Sequence, residues 1–389
     1  MLNFEYYTPT KVFFGKQREN QVGEIIGNYG FKKVMLIYGQ GSIKKCGLYD
    51  SVTKSLLENG VDFVEMGGVE PNPKIEFVRD AIVVAKKEKA ELILAVGGGS
   101  VIDAAKYTAL GAVTEYDVWD FVTGKQKPSS ALPVGCILTI AAAGSEMSWS
   151  AVVSDLSLNM KRGLASDLIR PLFAICNPEL TYTVSPYQTA CGISDILAHT
   201  MERYFTPCEP VDITDQIAES VMRSVINAAK VVIDKPDDYE ARANIMWASS
   251  LSHNNLTGCG RINSLPVHQL EHALSGEFDS VAHGAGLAVL FPAWAKYVYT
   301  YNITRFAQFA RNVWGVAQND DKLAAEQGIM EMSKFFESIG MPTSMAEFGI
   351  DTSSIDRLTD LCTFNNTRTV NSIIELKYDD IKEIFKICF

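Results

Sequence analysis

The residues in this chain best suited to chemistry are its histidines, of which there are five in 389 residues. All five fall between His199 and His283. Asp195 and His199 stand four apart in a segment with strong helix signals. Their side chains therefore leave one helix face, about 5–6 Å apart at Cβ. His268 and His272 repeat that spacing on a segment opened by Pro266 and closed by Gly276, and His283 follows beside Gly284 and Gly286. Those glycines let backbone approach a crowded site. One carboxylate with two or three imidazoles is a donor set for a divalent metal, Fe²⁺ or Zn²⁺. A lone histidine is more commonly a hydrogen-bonded core residue, and His253 is read that way. Spacing alone leaves open which of His268, His272 and His283 complete the set.

A second chemistry lies in the glycines. Gly97, Gly98, Gly99 and Ser100 sit between an apolar strand and a helix. There, free backbone N–H groups and the helix dipole suit an anion such as a phosphate, or the glycines equally make a tight strand-to-helix turn that holds nothing. The pattern is neither G-x-G-x-x-G nor a P-loop. Asp103, one turn on, suits a ribose or nicotinamide amide partner, or equally a dipole-stabilising acid. Gly39, Gln40, Gly41 and Ser42 end an earlier strand and precede Lys44 and Lys45. NAD sites place an acid on the adenosine ribose at such a turn. This turn carries none, which suits a 2′-phosphate and hence NADP, or else a surface loop whose two lysines are merely solvated.

These residues need elements to hold them. Apolar runs at 34–38, 61–64, 92–96, 134–140 and 172–176 alternate with helical stretches, such as that from about Lys74 to Lys89. Short, wholly apolar strands between helices predict a parallel sheet covered on both faces. After residue 184 the pattern becomes helical throughout. Ser185-Pro186-Tyr187-Gln188 opens a helix running to about Phe205, and Asp212 opens another. The expected organisation is a Rossmann-like α/β dinucleotide-binding domain over residues 1–184, then an all-helical metal and substrate domain over 185–389.

Composition narrows the function. Thirty-five Lys and Arg against forty-six Asp and Glu give a net charge of −11. Such a balance repels phosphate backbones and argues against nucleic-acid partners. No membrane segment is expected, and eight dispersed cysteines without a C-x-x-C pair suggest reduced thiols in a cytoplasmic protein.

The chain resembles the iron-containing (group III) alcohol dehydrogenases, most nearly the NADPH-dependent butanol dehydrogenases and broad-range aldehyde reductases. The resemblance rests on Pro9-Thr-Lys-Val-Phe-Phe-Gly15, Gly97-Gly-Gly-Ser-Val-Ile-Asp103-Ala-Ala-Lys106 and Ala143-Gly-Ser-Glu146. It continues through Gly192-Ile-Ser-Asp195-Ile-Leu-Ala-His199, His268-Gln-Leu-Glu-His272 and His283-Gly284. It implies that Asp195, His199, His268 and His283 hold the metal, Fe²⁺ before Zn²⁺. His272 then neighbours the nicotinamide and substrate. It further implies that Gly98, Gly99 and Ser100 cradle the pyrophosphate, with Asp103 near the nicotinamide end. Thr139 would line the cofactor cleft and Lys161 would reach ribose or phosphate oxygens. The implied reaction is reversible hydride transfer between NADP(H) and short-chain aldehydes or primary alcohols, in a homodimer. Two residues depart from the family pattern: Ala143 stands where threonine is usual, and Asn177 where aspartate is common. A glycerol-type polyol dehydrogenase and a metal-dependent hydrolase are the alternatives.

Overall fold

The computed structural model describes residues 1–158 and 160–389. The chain divides into two compact units: Tyr7–Thr183, and Val184–Phe389 together with Met1–Tyr6. The first six residues thus belong with the helical half, unlike the contiguous division expected from sequence. Leu2 N–H donates to Gly260 O at 2.8 Å, a backbone tie within the helical unit.

The first unit contains strands β1 (Lys11–Phe14), β2 (Lys33–Gly39), β3 (Asp62–Val69), β4 (Leu92–Gly97) and β5 (Val134–Leu138). Strands β6 (Ser150–Asp155), β7 (Met160–Ala165) and β8 (Phe173–Cys176) follow. Six of them form one sheet in the order β1-β8-β5-β4-β2-β3, with every pairing parallel. The apolar runs of β4, β5 and β8 are buried along their whole length, as strands covered on both faces must be. From β2 the chain crosses to β3 on one side and then to β4 on the other. The sheet therefore has a topological switch point between β2 and β4, where open α/β sheets place ligands. The β1 segment pairs with β8 at the sheet edge, and β6 with β7 forms an antiparallel hairpin outside the sheet, an element not anticipated.

The second unit is built from helices, apart from a two-residue strand pair at 370–371 and 375–376. At its centre lies the helix Pro186–Tyr204, in which every residue from Thr189 onward is buried. The hydroxyl of Ser185 caps it by accepting the Gln188 N–H at 3.2 Å, and Pro186 occupies the first turn, where a missing N–H costs nothing. The helices Asp212–Asp234, Tyr239–His253, Pro266–Glu277 and His283–Val298 surround it. Among the described residues no helix is long and apolar enough to cross a membrane.

Candidate metal centre and dinucleotide turns

The central helix carries Asp195 and His199 one turn apart, both buried. The helix Pro266–Glu277 contributes His268, and His283 begins the helix His283–Val298. These three elements meet closely. A Cβ on Gly284 would lie 2.0 Å from Cys191 O, so glycine alone lets the two helices touch there. The imidazoles converge on one oxygen. Asp195 Oδ1 lies 3.3 Å from His199 Nε2, 3.4 Å from His268 Nε2 and 3.8 Å from His283 Nε2. Asp195, His199 and His268 form the tightest group, their ligand atoms all within 4.8 Å of one another.

The far nitrogen of each ring is tethered elsewhere. His268 Nδ1 contacts Glu202 Oε2, and His283 Nδ1 contacts Glu271 Oε2, both carboxylates being fully buried. His199 Nδ1 lies 3.0 Å from His253 Nδ1, which in turn faces the Arg203 guanidinium at 3.0 Å. The Arg203 guanidinium, which only donates, also lies 3.5 Å from His199 Nδ1, so it faces the Nδ1 side of both rings. Each ring therefore turns its Nε2 toward Asp195. Asp195 Oδ1 and His268 Nε2 are buried and make no hydrogen bond to the described residues. Buried polar atoms without partners are costly, and a divalent cation among these N and O donors removes that cost. The donor set fits a metal on those grounds.

The electrostatics follow from the same contacts. Burial drives the His199 imidazole well below its ordinary range, reinforced by His253 and His268. For His268 burial acts downward too, but Glu202 and Asp195 overcome it and raise the group to about 9. Burial also lowers Arg203 to about 10, against the pull of Glu202.

His272 is half-buried, its ring centroid 6.1 Å from that of His283 and 6.4 Å from that of His268. It stands beside the histidine group without belonging to its tight core. His253 is a hydrogen-bonded core residue, as read, yet its partner is a candidate ligand. Sequence reasoning missed Glu202, Glu271, Arg203 and that role of His253. Glu202 was within reach: it lies seven residues after Asp195 and three after His199, on the same helix face.

In the α/β unit, the selected glycine turns close adjacent strands. Gly39 ends β2, Gly97 ends β4, and Thr139 follows β5, its N–H donating to Gly97 O at 3.1 Å. Gly39–Ser42 and Gly97–Ser100 thus flank the switch point. Gly98 caps the helix Gly99–Gly111, and Ser100 lies in its first turn. A Cβ on Gly97 would strike the Val101 side chain at 2.5 Å. Asp103 is buried, accepting from Ser145 Oγ at 2.6 Å and from the Val152 N–H at 2.9 Å. Burial raises its carboxyl, while Lys106 opposes. Lys161, on β7, is also buried.

Lys44 is not an unattached turn lysine: it packs over the Tyr38 and Tyr49 rings and lies 3.5 Å from Glu65. The parallel register of β2 with β3 sets Glu65 opposite Leu36, so an acid approaches this turn from the neighbouring strand. Asn177 has a local reason. Its amide donates to both oxygens of Glu19, at 3.2 and 3.1 Å, where an ionised aspartate would repel them.

Comparison with known proteins supports this assembly of parts. Residues 9–178 match the family described as iron-containing alcohol dehydrogenase, and residues 189–389 match the Fe-containing alcohol dehydrogenase family, C-terminal. The chain is 41% identical over 388 residues to NADH-dependent butanol dehydrogenase A of Clostridium acetobutylicum, covering 99% of both. It is 36% identical over 363 residues to the NADPH-dependent aldehyde reductase YqhD of Escherichia coli, covering 92% of both. The crystal structure of NADH-dependent butanol dehydrogenase A from Thermotoga maritima superposes with a TM-score of 0.97 at 39% identity. That match covers 100% of this chain and 99% of the other. With both halves matched, the hydrolase alternative falls, and the chain belongs to the iron-containing alcohol dehydrogenase family of oxidoreductases.

Proposed function

We propose that this chain is a metal-dependent alcohol dehydrogenase and aldehyde reductase. It moves a hydride reversibly between NADP(H) and short-chain aldehydes or primary alcohols, with butanal and butanol as representative substrates. The observation that carries the reading is the convergence of three imidazole nitrogens on Asp195 Oδ1, two of these buried atoms having no hydrogen bond. Asp195, His199, His268 and His283 would hold the ion, Fe²⁺ by preference and Zn²⁺ as substitute. Bound there, it would supply Lewis-acid polarisation of a carbonyl oxygen.

The remaining work belongs to the chain. Glu202, Glu271 and His253 fix ring orientation, so that each ligand turns Nε2 toward Asp195. The Gly97–Ser100 turn offers backbone N–H groups and a helix N-terminus to the pyrophosphate. Asp103, Thr139 and Lys161 complete the cofactor side, and His272 is assigned to the substrate side. The Gly39–Ser42 turn has no carboxylate of its own, which supports NADPH, although Glu65 stands near Lys44. Named relatives use either cofactor, so the preference is this chain's own property. We place the enzyme in the cytoplasm as a homodimer. Eight free cysteines support the compartment, and the exposed edge position of β1 supports pairing.

The test is direct. Strip the protein with chelator, reload with Fe²⁺ or Zn²⁺, and follow oxidation of NADPH and of NADH with butanal. Activity is expected to vanish on stripping, return on reloading, and run faster with NADPH. Full activity in a metal-free His268→Ala variant refutes the metal reading. Equal kcat/KM with both cofactors refutes the NADP preference.

A further inference from the structure

Glu202 is a fully buried carboxylate, and both of its oxygens are engaged. Oε1 accepts the Val267 N–H at 2.6 Å and the His268 N–H at 3.0 Å. Oε2 contacts His268 Nδ1. The helix Pro266–Glu277 begins without a cap of its own, because Leu265 occupies the N-cap and offers no side-chain acceptor. Pro266 has no N–H, and the Gln269 N–H already bonds Leu265 O at 3.1 Å. The orphan donors of the first turn are therefore those of Val267 and His268, and one oxygen from another helix satisfies both. That oxygen also sits at the positive end of the helix dipole, which favours its charge.

We propose that Glu202 is a positioning residue for the metal centre, seating the start of the Pro266–Glu277 helix with one oxygen and setting the tautomer of His268 with the other. Oε1 is taken by two backbone N–H groups and Oε2 faces Nδ1, so His268 donates from Nδ1 to the carboxylate and keeps Nε2 for a cation beside Asp195. Because one side chain does both tasks, the ligand's backbone and its ring are referenced to the same helix that carries Asp195 and His199. This inference rests on the metal reading above but concerns a residue that is not a ligand.

The isosteric change Glu202→Gln separates the two tasks. The amide oxygen can still accept the Val267 and His268 N–H groups, so the helix start survives. The amide nitrogen then faces His268 Nδ1 as a donor and demands a lone pair there, which moves the ring proton to Nε2. A ligand protonated on its donor atom must lose that proton before it binds. Zn²⁺ affinity of wild type and Glu202→Gln is to be measured by competition with a chromophoric chelator, alongside thermal melts of both metal-free proteins. The expected result is binding weaker by about 10–100-fold, the usual range for such outer partners, with little change in the metal-free melt. A residue that merely capped a helix would give the reverse, unchanged affinity and a lowered melt, and that overturns the proposal. Imidazole ¹⁵N spectra of the Zn²⁺-loaded wild type provide a readout independent of any variant, aided by the small number of histidines. Protonated Nδ1 with metal-bound Nε2 on His268 is expected, and the opposite assignment overturns the proposal. Absence of Zn²⁺ binding by wild type would overturn the metal reading as well. Normal wild-type binding with an unaffected Glu202→Gln overturns this inference alone.

Discussion

Gly284 tests whether the contact between two helices sets the candidate metal centre. Its Cβ-free backbone lies against Cys191, and an added Cβ would stand 2.0 Å from Cys191 O, 2.6 Å from its C and 2.7 Å from its Cα. All three atoms are backbone, so no rotamer change relieves the clash. Ordinary contact begins at 3.4 Å, and the shortfall against the oxygen is 1.4 Å. The helices Pro186–Tyr204 and His283–Val298 must then part by a substantial share of that distance. Overpacking of this kind costs about 1–3 kcal/mol. For a unit of this size each kcal/mol shifts the melting temperature by about 2–4 °C, so Gly284→Ala should melt about 2–12 °C lower. The displacement acts one residue from His283 and one helical turn from Asp195, stretching the 3.8 Å approach of His283 Nε2 to Asp195 Oδ1. Misplacement by about 1 Å commonly costs about 100-fold in rate, and a loss of that order in kcat/KM for butanal reduction is expected. Gly286→Ala is the graded control. Its Cβ would meet Glu271 Cγ at 3.2 Å and Leu274 Cδ2 at 3.3 Å, side-chain atoms that can yield, so its effect should be smaller. Calorimetry of the metal-free proteins, chelator competition and NADPH oxidation kinetics measure the three quantities. If Gly284→Ala melts, binds metal and turns over like the parent, the two helices do not fix the site and the reasoning fails.

Lys106 is fully buried, its ammonium donating to Ser145 Oγ at 2.9 Å, to Ser148 O and Oγ at 3.1 Å, and to Ser150 O at 2.8 Å. Through Ser145 it is linked to Asp103, so Lys106→Met should destabilise the α/β unit by about 3–5 kcal/mol, read from denaturant melts. Burial lowers this lysine from 10.5 to about 8, against the pull of Asp103. Between those values the unfolded chain holds a proton the folded chain has released, so this group makes stability rise with pH across that window. The stability gap between wild type and Lys106→Met should widen over the same window, and a flat or narrowing gap contradicts the assignment. Gln40→Asp supplies the acid that the Gly39–Ser42 turn lacks. It should lower kcat/KM for NADPH more than for NADH, and an equal effect on both would remove the turn from cofactor selection.

The local periodicities made much of this molecule readable. Val34–Tyr38, Leu92–Val96 and Phe173–Cys176 are apolar on successive positions because both faces of the sheet are covered, and such runs announce themselves. Asp195 and His199 were legible for a related reason, since a helix converts spacing directly into shared direction. The β6–β7 hairpin was not. Met160–Ala165 alternates weakly and is half exposed, so its pairing with Ser150–Asp155 is decided by tertiary contact, not local pattern. The outer partners of the metal site were hidden by distance along the chain. His253 meets His199 from 54 residues away, and Glu202 meets His268 from 66. Glu65 reached Lys44 unseen because a parallel register, unlike a tight hairpin, leaves no short-range trace.

The arrangement of charge separates a metal centre from an ordinary polar core. Asp195, Glu202 and Glu271 place three carboxylates, all nearly or wholly buried, around three imidazoles. Arg203 reaches this group by donating to His199 O at 2.8 Å and facing His253 Nδ1. Within this set one guanidinium stands against three carboxylates, and uncompensated buried charge is expensive. Hydrogen bonds ease part of that cost for Glu202, which caps a helix, but Asp195 Oδ1 has none. Without an ion the site must draw on protons, and the upward pull of Glu202 and Asp195 on His268, against burial, is that demand expressed on one ring. His199 is pushed the other way by burial, reinforced by His253, His268 and Arg203. A core histidine cluster under selection for packing alone would gain stability by exchanging these acids for apolar residues of similar volume. Their presence beneath imidazoles whose Nε2 atoms face one carboxylate oxygen is explained by a divalent cation, which balances the charge and occupies the lone pairs together.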